Sequence, residues 1–419
     1  MSITASNLEN LQVNPDWKSL PLFDRSEWTR VRFGDVVQNI NETADPLAEG
    51  IERFIGMEHL EPGSLHVRSW GNVADGTTFS RRCRPGQVLF GKRRAYQRKV
   101  AVAEFDAVVS SDIYLFAPKD ERLLPELLPF ICMSERFFGF AVETSAGSLS
   151  PRTNWKHLEL FEFELPTVEQ QRRIAEVLWA VDTVQTTVEH TLSSVASLIN
   201  SELHDFLYGE AQWPRSACRD LLSEGPRNGF SPPPTNDSTE IPTLSLSAIR
   251  DGKVLTQGSI KYAAVDPDLV AQYQLRKDDI LIVRGNGNRM LCGKAGIVGE
   301  YPKGCFYPDL LIRLRFRSDF LLPDFAVLQW NESVAHSRLL KKAKSSNGIY
   351  KINGQDIQSH VMAVPPIASQ HLLLDSLGKK TACVEALTIS DTHAVNLRTE
   401  LINTLFDNAC SPKPTPSNN

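Results

Sequence analysis

Apolar residues recur at alternating steps of three and four between about residues 166 and 208. This is the period of a helix with one face packed against another helix, and neither glycine nor proline follows Pro166 in the segment. The apolar stripe consists of Ile174, Leu178, Val181, Val188, Leu192, Val195 and Ile199. A helix of this length extends about 60 Å, which is too long for one small domain to cover. The pattern therefore predicts a second helix beside it.

A second segment, at about 366–407, has a weaker stripe of the same kind. Its apolar positions are Leu373, Leu377, Val384, Leu387, Leu401 and Leu405. Lys380, Asp391 and Arg398 interrupt this stripe, and Gly378 costs a helix interior about 1 kcal/mol relative to alanine. Both segments follow a strand-like run that ends in proline, FEFELP before the first and VMAVPP before the second. We infer an internal duplication, and we predict that the two helices pair as an antiparallel coiled coil under pseudo-two-fold symmetry.

The regions outside these helices alternate short strand-like runs with turns and a few helical runs, which is typical of α+β domains. The predicted organisation is a loosely held leader at 1–26, a first domain at 27–165, a first long helix at 166–210, a second domain of similar α/β fold at 211–364, a second long helix at 365–408 and a disordered tail at 409–419.

Composition limits the class of protein. The 419 residues carry a net charge of −5 and are 42% hydrophobic, which is enough to fill two cores. No run approaches the roughly 18 apolar residues that span a bilayer, and the first residues do not have the pattern of a signal peptide. Seven cysteines without a C-x-x-C pair are typical of reduced thiols. We therefore expect a cytoplasmic protein with no zinc site.

The segment from Arg81 to Lys99 carries eight lysine or arginine residues and no acidic residue. Such a density is difficult to explain by folding alone in an acidic chain, because like charges repel. We interpret it as unopposed charge that binds a polyanion, with Tyr96 placed to stack on a base or a sugar. The alternative is a solvated surface whose ion pairs come from elsewhere in the fold.

The sequence contains no complete catalytic motif. Five residues rather than four separate Gly287 from Gly293, and Ala295 stands where a phosphate-binding loop needs a hydroxyl. His59 and Glu61 have the H-x-E spacing of a zinc deaminase, but no P-C-x-x-C completes the metal site. We therefore expect no catalytic residue and no bound metal.

Two stretches carry a resemblance to a known family. Residues 165–178 read LPTVEQQRRIAEVL, and residues 277–282 read KDDILI and precede a glycine-rich loop. In this text and in its duplicated architecture, the chain resembles the specificity subunits of type I restriction-modification systems over about residues 28–407. The second copy departs from the family pattern at Ser369, where glutamate is usual, and at Gly378.

The resemblance implies two tandem target-recognition domains of α+β class, joined and spaced by two long helices. It implies a DNA-sequence-recognition subunit with no catalytic activity, acting in a phage-defence system. The implied partners are double-stranded DNA, two adenine methyltransferase subunits and motor-nuclease subunits. S-adenosylmethionine, ATP and Mg²⁺ would belong to those partners, and this chain would bind no cofactor.

In such a subunit, arginine and lysine would contact the DNA backbone, and a few side chains would read base edges. Arginine suits guanine and asparagine suits adenine. The candidates in the first domain are Arg81, Arg82, Lys92, Arg93, Arg94, Tyr96, Arg98, Lys99, Ser148, Arg152 and Asn154. The candidates in the second domain are Arg284, Asn286, Asn288, Arg289, Lys294, Asn347, Tyr350, Lys351 and Asn353.

Two other classes of protein remain compatible with the sequence. A stand-alone regulator or adaptor with duplicated domains would bind specific DNA without a methyltransferase partner. A nuclease, the less favoured alternative, would show activity as a purified chain.

Overall fold

The computed structural model describes residues 20–210, 212–346 and 348–406. These residues form two compact units, and the chain passes between the units after Thr191 and again after Glu385. Each unit therefore contains one domain together with one end of each long helix.

The first domain contains two four-stranded sheets and four α-helices. Its strands are β1 (Thr29–Arg32), β2 (Val37–Asn39), β3 (Arg53–Ile55), β4 (Gly71–Asn72), β5 (Arg81–Cys83), β6 (Val88–Gly91), β7 (Val100–Val102), β8 (Ala107–Val109), β9 (Ile113–Pro118) and β10 (Glu162–Leu165). Its helices are α1 (Phe33–Val36), α2 (Leu128–Met133), α3 (Glu135–Glu143) and α4 (Trp155–Leu158). The two sheets have the orders β2-β9-β6-β7 and β4-β3-β8-β5, and β1 pairs antiparallel with β10.

The β2-β9-β6-β7 sheet is covered on both faces because successive side chains of a strand point to opposite sides. In β6, Val88 and Phe90 join the cluster that includes α2 and α3, whereas Leu89 joins a second cluster on the other face. In β9, Phe116 and Leu115 divide between the two clusters in the same way. The apolar run of each strand is therefore explained by burial on both faces.

The first long helix, α5, runs from Val168 to Tyr208. The second domain follows it with strands β11 (Arg215–Ala217), β12 (Leu222–Asn228), β13 (Ile241–Leu244), β14 (Ile249–Arg250), β15 (Lys253–Val254), β16 (Ile260–Ala263), β17 (Ile280–Val283), β18 (Gly285–Asn286), β19 (Ala295–Val298), β20 (Leu311–Phe316), β21 (Lys344–Ser346), β22 (Ile349–Lys351) and β23 (Val361–Ala363). Its helices are α6 (Cys218–Leu221), α7 (Pro267–Val270), α8 (Pro323–Asn331), α9 (Ser333–Leu340) and α10 (Gly354–Gln358), and the second long helix, α11, runs from Ile367 to Phe406.

The second domain repeats the element order of the first. Its main sheet, β12-β20-β17-β19-β15-β14, begins with the same four-strand arrangement, and β11 pairs with β23 as β1 pairs with β10. The helix pair α2 and α3 reappears as α8 and α9. Ser134 caps α3 by accepting from the Phe137 N–H, and Glu332 caps α9 through its carboxylate. The fold is therefore mixed α and β, with two domains of similar architecture in tandem.

A buried glutamine repeats at the start of each long helix. Gln171 accepts a hydrogen bond from the Leu124 N–H (2.8 Å) and donates to the carbonyls of Arg122 and Pro166. Gln370 makes the same three bonds, with the Leu322 N–H and with the carbonyls of Phe320 and Pro365. Each glutamine thereby joins a long helix to the loop that leads into the helix pair of its own domain.

In the first unit, the start of α5 packs against the end of α11. Ile174 and Leu178 share a core cluster with Leu401 and Leu405. Further along α5, Asp182 accepts a hydrogen bond of 2.7 Å from Arg398, and both side chains are 4% exposed. Arg398, which interrupts the apolar stripe, is therefore neutralised by the partner helix.

In the second unit, the end of α5 packs near the start of α11. Glu202 accepts a 2.6 Å hydrogen bond from Ser376 and lies 2.7 Å from the Lys380 ammonium. Lys380, another interruption of the stripe, therefore also has a partner on the opposite helix. Gly378 is exposed, and α11 continues through it without a break.

The ends of the chain lie mostly outside the described residues. Residues 1–19 and 407–419, which include most of the predicted leader and the whole predicted tail, are among those not described. Arg25, at the end of the predicted leader, donates to Glu164 and to the carbonyls of Thr404 and Leu405. Among the described residues, no helix has both the length and the apolar character needed to cross a bilayer.

Candidate nucleic-acid interface

The structure brings together the two candidate loops of the first domain. The loop after β6 and the loop before α4 form an antiparallel bridge between Arg93 and Arg152. The Arg94 N–H donates to the Pro151 carbonyl at 2.7 Å, and the Thr153 N–H donates to the Lys92 carbonyl at 3.0 Å. Main-chain hydrogen bonds therefore join segments that lie about sixty residues apart in the sequence.

Asp112 lies beneath this pair of loops, directly before β9. Its Oδ1 accepts from the Nε of Arg152 at 2.8 Å, and its Oδ2 accepts from Arg93 at 3.3 Å. Burial raises the pKa of Asp112, but hydrogen bonds and charge from Arg152 and Arg93 outweigh burial and lower it overall. Ser150 completes the contact, since its hydroxyl accepts from Arg93 at 3.1 Å and from Arg94 at 3.3 Å.

Lys92 and Arg81 add further positive charge beside Asp112. The Lys92 ammonium lies 4.7 Å from the centre of the Tyr114 ring, and Arg81 donates to the Ile113 carbonyl at 2.9 Å. Burial, with Arg81 as the next cause, lowers the pKa of Lys92. Within the described ranges, no carboxylate forms an ion pair with Lys92 or Arg81. Five cationic side chains therefore lie at or beside the joint together with the carboxylate of Asp112, namely Arg81, Lys92, Arg93, Arg94 and Arg152.

Three other arginines of the segment from Arg81 to Lys99 pair with carboxylates, so the interpretation of the segment as unopposed charge is wrong for them. Arg82 donates to Asp106 and to Glu49, with Nε 2.9 Å from Asp106. The other pairs join Arg84 to Glu42 and Arg98 to Glu135. The carboxylates lie far from the basic segment in sequence, so a local count of charges does not find them. The alternative of a paired surface holds for these three arginines.

The other candidates of the first domain lie on the loop after β6 and on the loop before α4. Tyr96 is exposed, and Lys99 donates to the Met57 carbonyl at 2.6 Å. Ser148 is exposed at the tip of the loop before α4, next to Leu149, whose side chain is 90% exposed. Arg94 and Arg98 adopt left-handed backbone conformations that open and close the short 3-10 turn Ala95–Gln97.

The second domain joins its candidate loops in the corresponding place. Gly285 pairs with Lys351, Asn286 pairs with Tyr350, and the Ile352 N–H donates to the Arg284 carbonyl at 2.9 Å. Here the joint is a small sheet, β18-β22-β21, rather than an isolated bridge. Asn347, a candidate in the β21–β22 turn, lies outside the described residues.

The side chains on this second joint make few ionic contacts. Arg284 donates to the Asp309 carbonyl at 3.4 Å, and the Arg289 guanidinium lies 5.9 Å from the centre of the Tyr350 ring. The Asp309 carboxylate accepts from the Ser231 hydroxyl at 2.6 Å. Among the described residues, no carboxylate forms an ion pair with Arg284, Arg289 or Lys351.

Lys294 directly precedes β19. Its ammonium donates to the Asn331 carbonyl at 3.3 Å, and burial lowers its pKa. It lines a cavity of 1460 Å³ within the second unit, beside Met290, Leu246 and His204. Two other candidates, Asn286 and Arg289, line the same cavity, whereas Lys351 is not part of its lining.

The candidate asparagines have local structural roles. Asn154 caps α4 by accepting from the Lys156 N–H, and Asn353 caps α10 by accepting from the N–H groups of Gln355 and Asp356. Asn286 accepts from the Asn288 N–H, and Asn288 accepts from the Met290 N–H. Each of these four Oδ1 atoms thus already accepts a backbone hydrogen bond. A two-bond contact with adenine would compete with these bonds.

Two residues outside the candidate set, Asp112 and Ser150, also hold the joined loops in place, and a third, Gln171, holds the loop before α2. Asp112 is visible in the sequence only as a single carboxylate, because its arginine partners lie 19 and 40 positions away. Gln171 stands in the stretch that carries the family resemblance, but nothing in its spacing indicates a buried side chain.

Comparison with known proteins finds similarity to one family in the first part of the chain. Residues 25–196 match the family model described as type I restriction modification DNA specificity domain. The chain is 30% identical over 145 residues to the type I restriction enzyme EcoKI specificity subunit of Escherichia coli (strain K12). It is 27% identical over 225 residues to the EcoDI specificity subunit of Escherichia coli. These matches span 34% and 50% of this chain, and 31% and 47% of the two relatives.

Two solved structures share the fold along most of the chain. One comes from a study of complex assembly and conformational transition of the type I R-M system; it has a TM-score of 0.56 at 17% identity and covers 90% of this chain and 97% of its own. The other is the type I restriction-modification system S subunit from M. genitalium, with a TM-score of 0.57 at 12% identity and coverage of 93% and 99%.

Proposed function

We propose that the chain, of which residues 25–196 match the family model of the type I restriction modification DNA specificity domain, is the DNA-reading subunit of a type I restriction-modification system. The observation that carries the proposal is the joining of two loops in each domain, at corresponding places in the fold. In the first domain this joint gathers Arg81, Lys92, Arg93, Arg94 and Arg152. Such an excess of positive charge suits the phosphate backbone of DNA.

In the proposed function each domain contacts one half of a split DNA site. Lysine and arginine side chains of the joined loops hold the backbone, and a smaller number of side chains contact base edges. The chain itself carries out no catalysis. It assembles with two adenine methyltransferase subunits and with motor-nuclease subunits, in the cytoplasm. S-adenosylmethionine, ATP and Mg²⁺ are bound by those partners.

We further propose that α5 and α11 form an antiparallel coiled coil that sets the distance between the half-sites under pseudo-two-fold symmetry. The contacts of Asp182 with Arg398 and of Glu202 with Lys380 support this. Residue numbers on α11 decrease as those on α5 increase, which is the order of antiparallel helices. One turn of DNA is about 34 Å long, which is less than the length of either helix. Half-sites one turn apart therefore lie within the span of the helix pair.

The experiment is to map methylated adenines in host DNA with and without this chain. We expect a motif of two short half-sites around a fixed gap, and we expect methylation of that motif to disappear on deletion. A methylome that does not change on deletion contradicts the proposal. Inserting one helical turn after Val188 and after the facing part of α11 provides a matched variant, which should lengthen the gap while both half-sites stay the same.

Purification of the chain from its host separates the alternative functions. Affinity purification of the chain should recover a methyltransferase subunit. A regulator or adaptor would bind specific DNA but recover no methyltransferase, and a nuclease would cut DNA as a purified chain.

A further inference from the structure

The Arg152 guanidinium is hydrogen-bonded within the protein through one nitrogen and exposed at its other two. Its Nε donates to Asp112 at 2.8 Å, whereas its side chain is 53% exposed. Within the part of the chain that the structure describes, its two terminal nitrogens have no hydrogen-bond partner. The guanidinium therefore keeps one edge, formed by these two nitrogens, available for contact at the surface of the joined loops.

The carboxylate that holds Arg152 is itself fixed. The Asp112 side chain is 15% exposed and also accepts from Arg93. Its backbone N–H donates to the Ser110 hydroxyl at 3.2 Å, and its carbonyl accepts from the Lys92 N–H at 2.9 Å. Asp112 directly precedes β9, whose next residues are buried in the main sheet. Arg152 is thus connected through one carboxylate to the core of the domain.

Arg93 differs from Arg152 although both contact Asp112. Arg93 donates to Asp112 and to Ser150, and its Nε is buried. Both of its terminal nitrogens donate inside the protein, whereas its Nε has no hydrogen-bond partner among the described residues. Arg93 stabilises the carboxylate, and Arg152 presents a free planar edge.

We infer that Asp112 is a positioning residue that holds Arg152 for contact with a guanine in one half-site. The inference rests on the proposed DNA-reading function and adds to it a base and a pair of residues. Two parallel N–H groups of arginine match the O6 and N7 acceptors of guanine in the major groove. An arginine already fixed by a carboxylate loses less side-chain freedom on binding than an unrestrained one.

Removal of the Asp112 charge separates positioning from simple electrostatics, because the two predict opposite signs. As a plain anion at a DNA-binding surface, Asp112 would repel phosphate, and its loss would strengthen binding to every sequence. As a positioning residue, Asp112 would favour one base, and its loss would reduce discrimination at that base. Only the second effect depends on sequence.

The test is selection of binding sites from a randomised duplex library by the full-length protein, with Asp112→Asn beside the wild type. The wild type should select a split motif with a guanine in one half. Asp112→Asn should lower the preference for that guanine roughly tenfold, which lies within the range for one two-bond contact. Binding to unrelated DNA should stay the same or strengthen.

Glu42→Gln is the matched control. It also removes one carboxylate that pairs with an arginine, Arg84, in the same domain but away from the joined loops. It should leave the selected motif unchanged. Equal loss of preference in Glu42→Gln and Asp112→Asn would overturn the inference, because a general change of charge would then be sufficient.

Arg152→Lys provides a second, independent measurement. It keeps the positive charge and removes the planar edge, so it should lose the same guanine preference. Should Asp112→Asn fail to fold, retention of that preference by Arg152→Lys overturns the inference, and its loss supports it. A wild-type protein that selects no sequence contradicts the proposed function itself. A wild type that selects a motif while both variants keep every base contradicts only the inference.

Discussion

The two domains join equivalent loops by the same backbone device and cover the joints with different side chains. In the first domain, the Arg93–Arg152 bridge lies over Asp112 and among arginines that pair with distant carboxylates. In the second domain, the pairing of Gly285 with Lys351 lies in a small sheet beside asparagine-stabilised turns. The first surface is therefore ion-rich, and the second is built of turns and a hairpin.

This difference shows which part of a joined loop is free to vary. The joint consists of main-chain hydrogen bonds, which any residue other than proline can donate. Side chains at the joint can therefore change without loss of the backbone connection. Two domains with one architecture can in this way present chemically different surfaces, as the proposed recognition of two different half-sites requires.

The ion pair that joins the two long helices also differs between the units, in how far it is buried. The Arg398–Asp182 pair is buried, whereas Lys380 and Glu202 are 32% and 31% exposed. Arg398→Met should destabilise the protein by about 3 kcal/mol, the lower end for a broken buried pair, because Asp182 loses its guanidinium and keeps only His66. Lys380→Met should cost less than about 1 kcal/mol, as is usual for an exposed pair.

The free energy of unfolding of the two variants, measured by chemical denaturation at neutral pH, tests this difference. His371→Ala, at an exposed position of α11, is the control and should stay within about 0.5 kcal/mol of the wild type. Similar losses in Arg398→Met and Lys380→Met would mean that burial does not distinguish the two pairs.

The sequence predicts the elements better than it predicts the contacts between them. The heptad stripe predicted a first long helix at 166–210, and the helix runs from Val168 to Tyr208. A stripe of this length is a local signal, since each turn repeats the same information. The proline-ended strands before α5 and α11 indicated the duplication for the same reason.

Ion pairs could not be predicted in this way. The basic segment has its partners at Glu42, Glu49, Asp106, Asp112 and Glu135. Only the folded sheet brings these residues near the arginines. The role of the asparagines stays a prediction for a related reason, because an asparagine that caps a helix and an asparagine that reads a base cannot be told apart in the sequence. Local composition indicates the kind of loop, and the fold decides which atoms remain free.

A second comparison concerns histidines with opposite pKa shifts. In the first unit, hydrogen bonds to Asp182 and then to Glu104, opposed by burial, raise the pKa of His66 to about 9. In the second domain, burial and then the charge of Lys342 lower the pKa of His360 to about 4. His66 is thus stabilised in its charged form, and His360 in its neutral form.

The pH dependence of stability should therefore have two separate limbs. The contribution of His66 is fully present below about pH 6.5 and is lost as pH rises through 9. That of His360 is present above about pH 6.5 and is lost as pH falls through 4. The effect of His360 over its full range should be about 3 kcal/mol, since one pKa unit is worth about 1.4 kcal/mol, and that of His66 about 2 kcal/mol because its partial exposure reduces it.

Unfolding curves at pH 5, 7 and 9.5 for the wild type, His66→Gln and His360→Gln measure these limbs. His66→Gln should remove the alkaline loss and keep the acidic one, and His360→Gln should do the reverse. An alkaline loss that survives His66→Gln must come from other groups, and the proposed role of the His66–Asp182 contact would then be wrong.

The smallest expected effect concerns charge at the loop surface of the first domain. Lys92 forms no ion pair with any described carboxylate, whereas Arg82 is paired with Asp106 and Glu49. If Lys92 neutralises one phosphate, Lys92→Gln should reduce the slope of log affinity against log salt by about 0.9. Between 50 and 200 mM salt this corresponds to a change of about threefold in the salt effect.

Arg82→Gln should leave the slope unchanged, because Arg82 is already neutralised within the protein. Lys351→Gln extends the test to the second domain and should act as Lys92→Gln does. A reduced slope in Arg82→Gln would show that its ion pairs open on DNA. The ion-rich and turn-rich surfaces would then contact the backbone through all of their cations rather than through the unpaired ones alone.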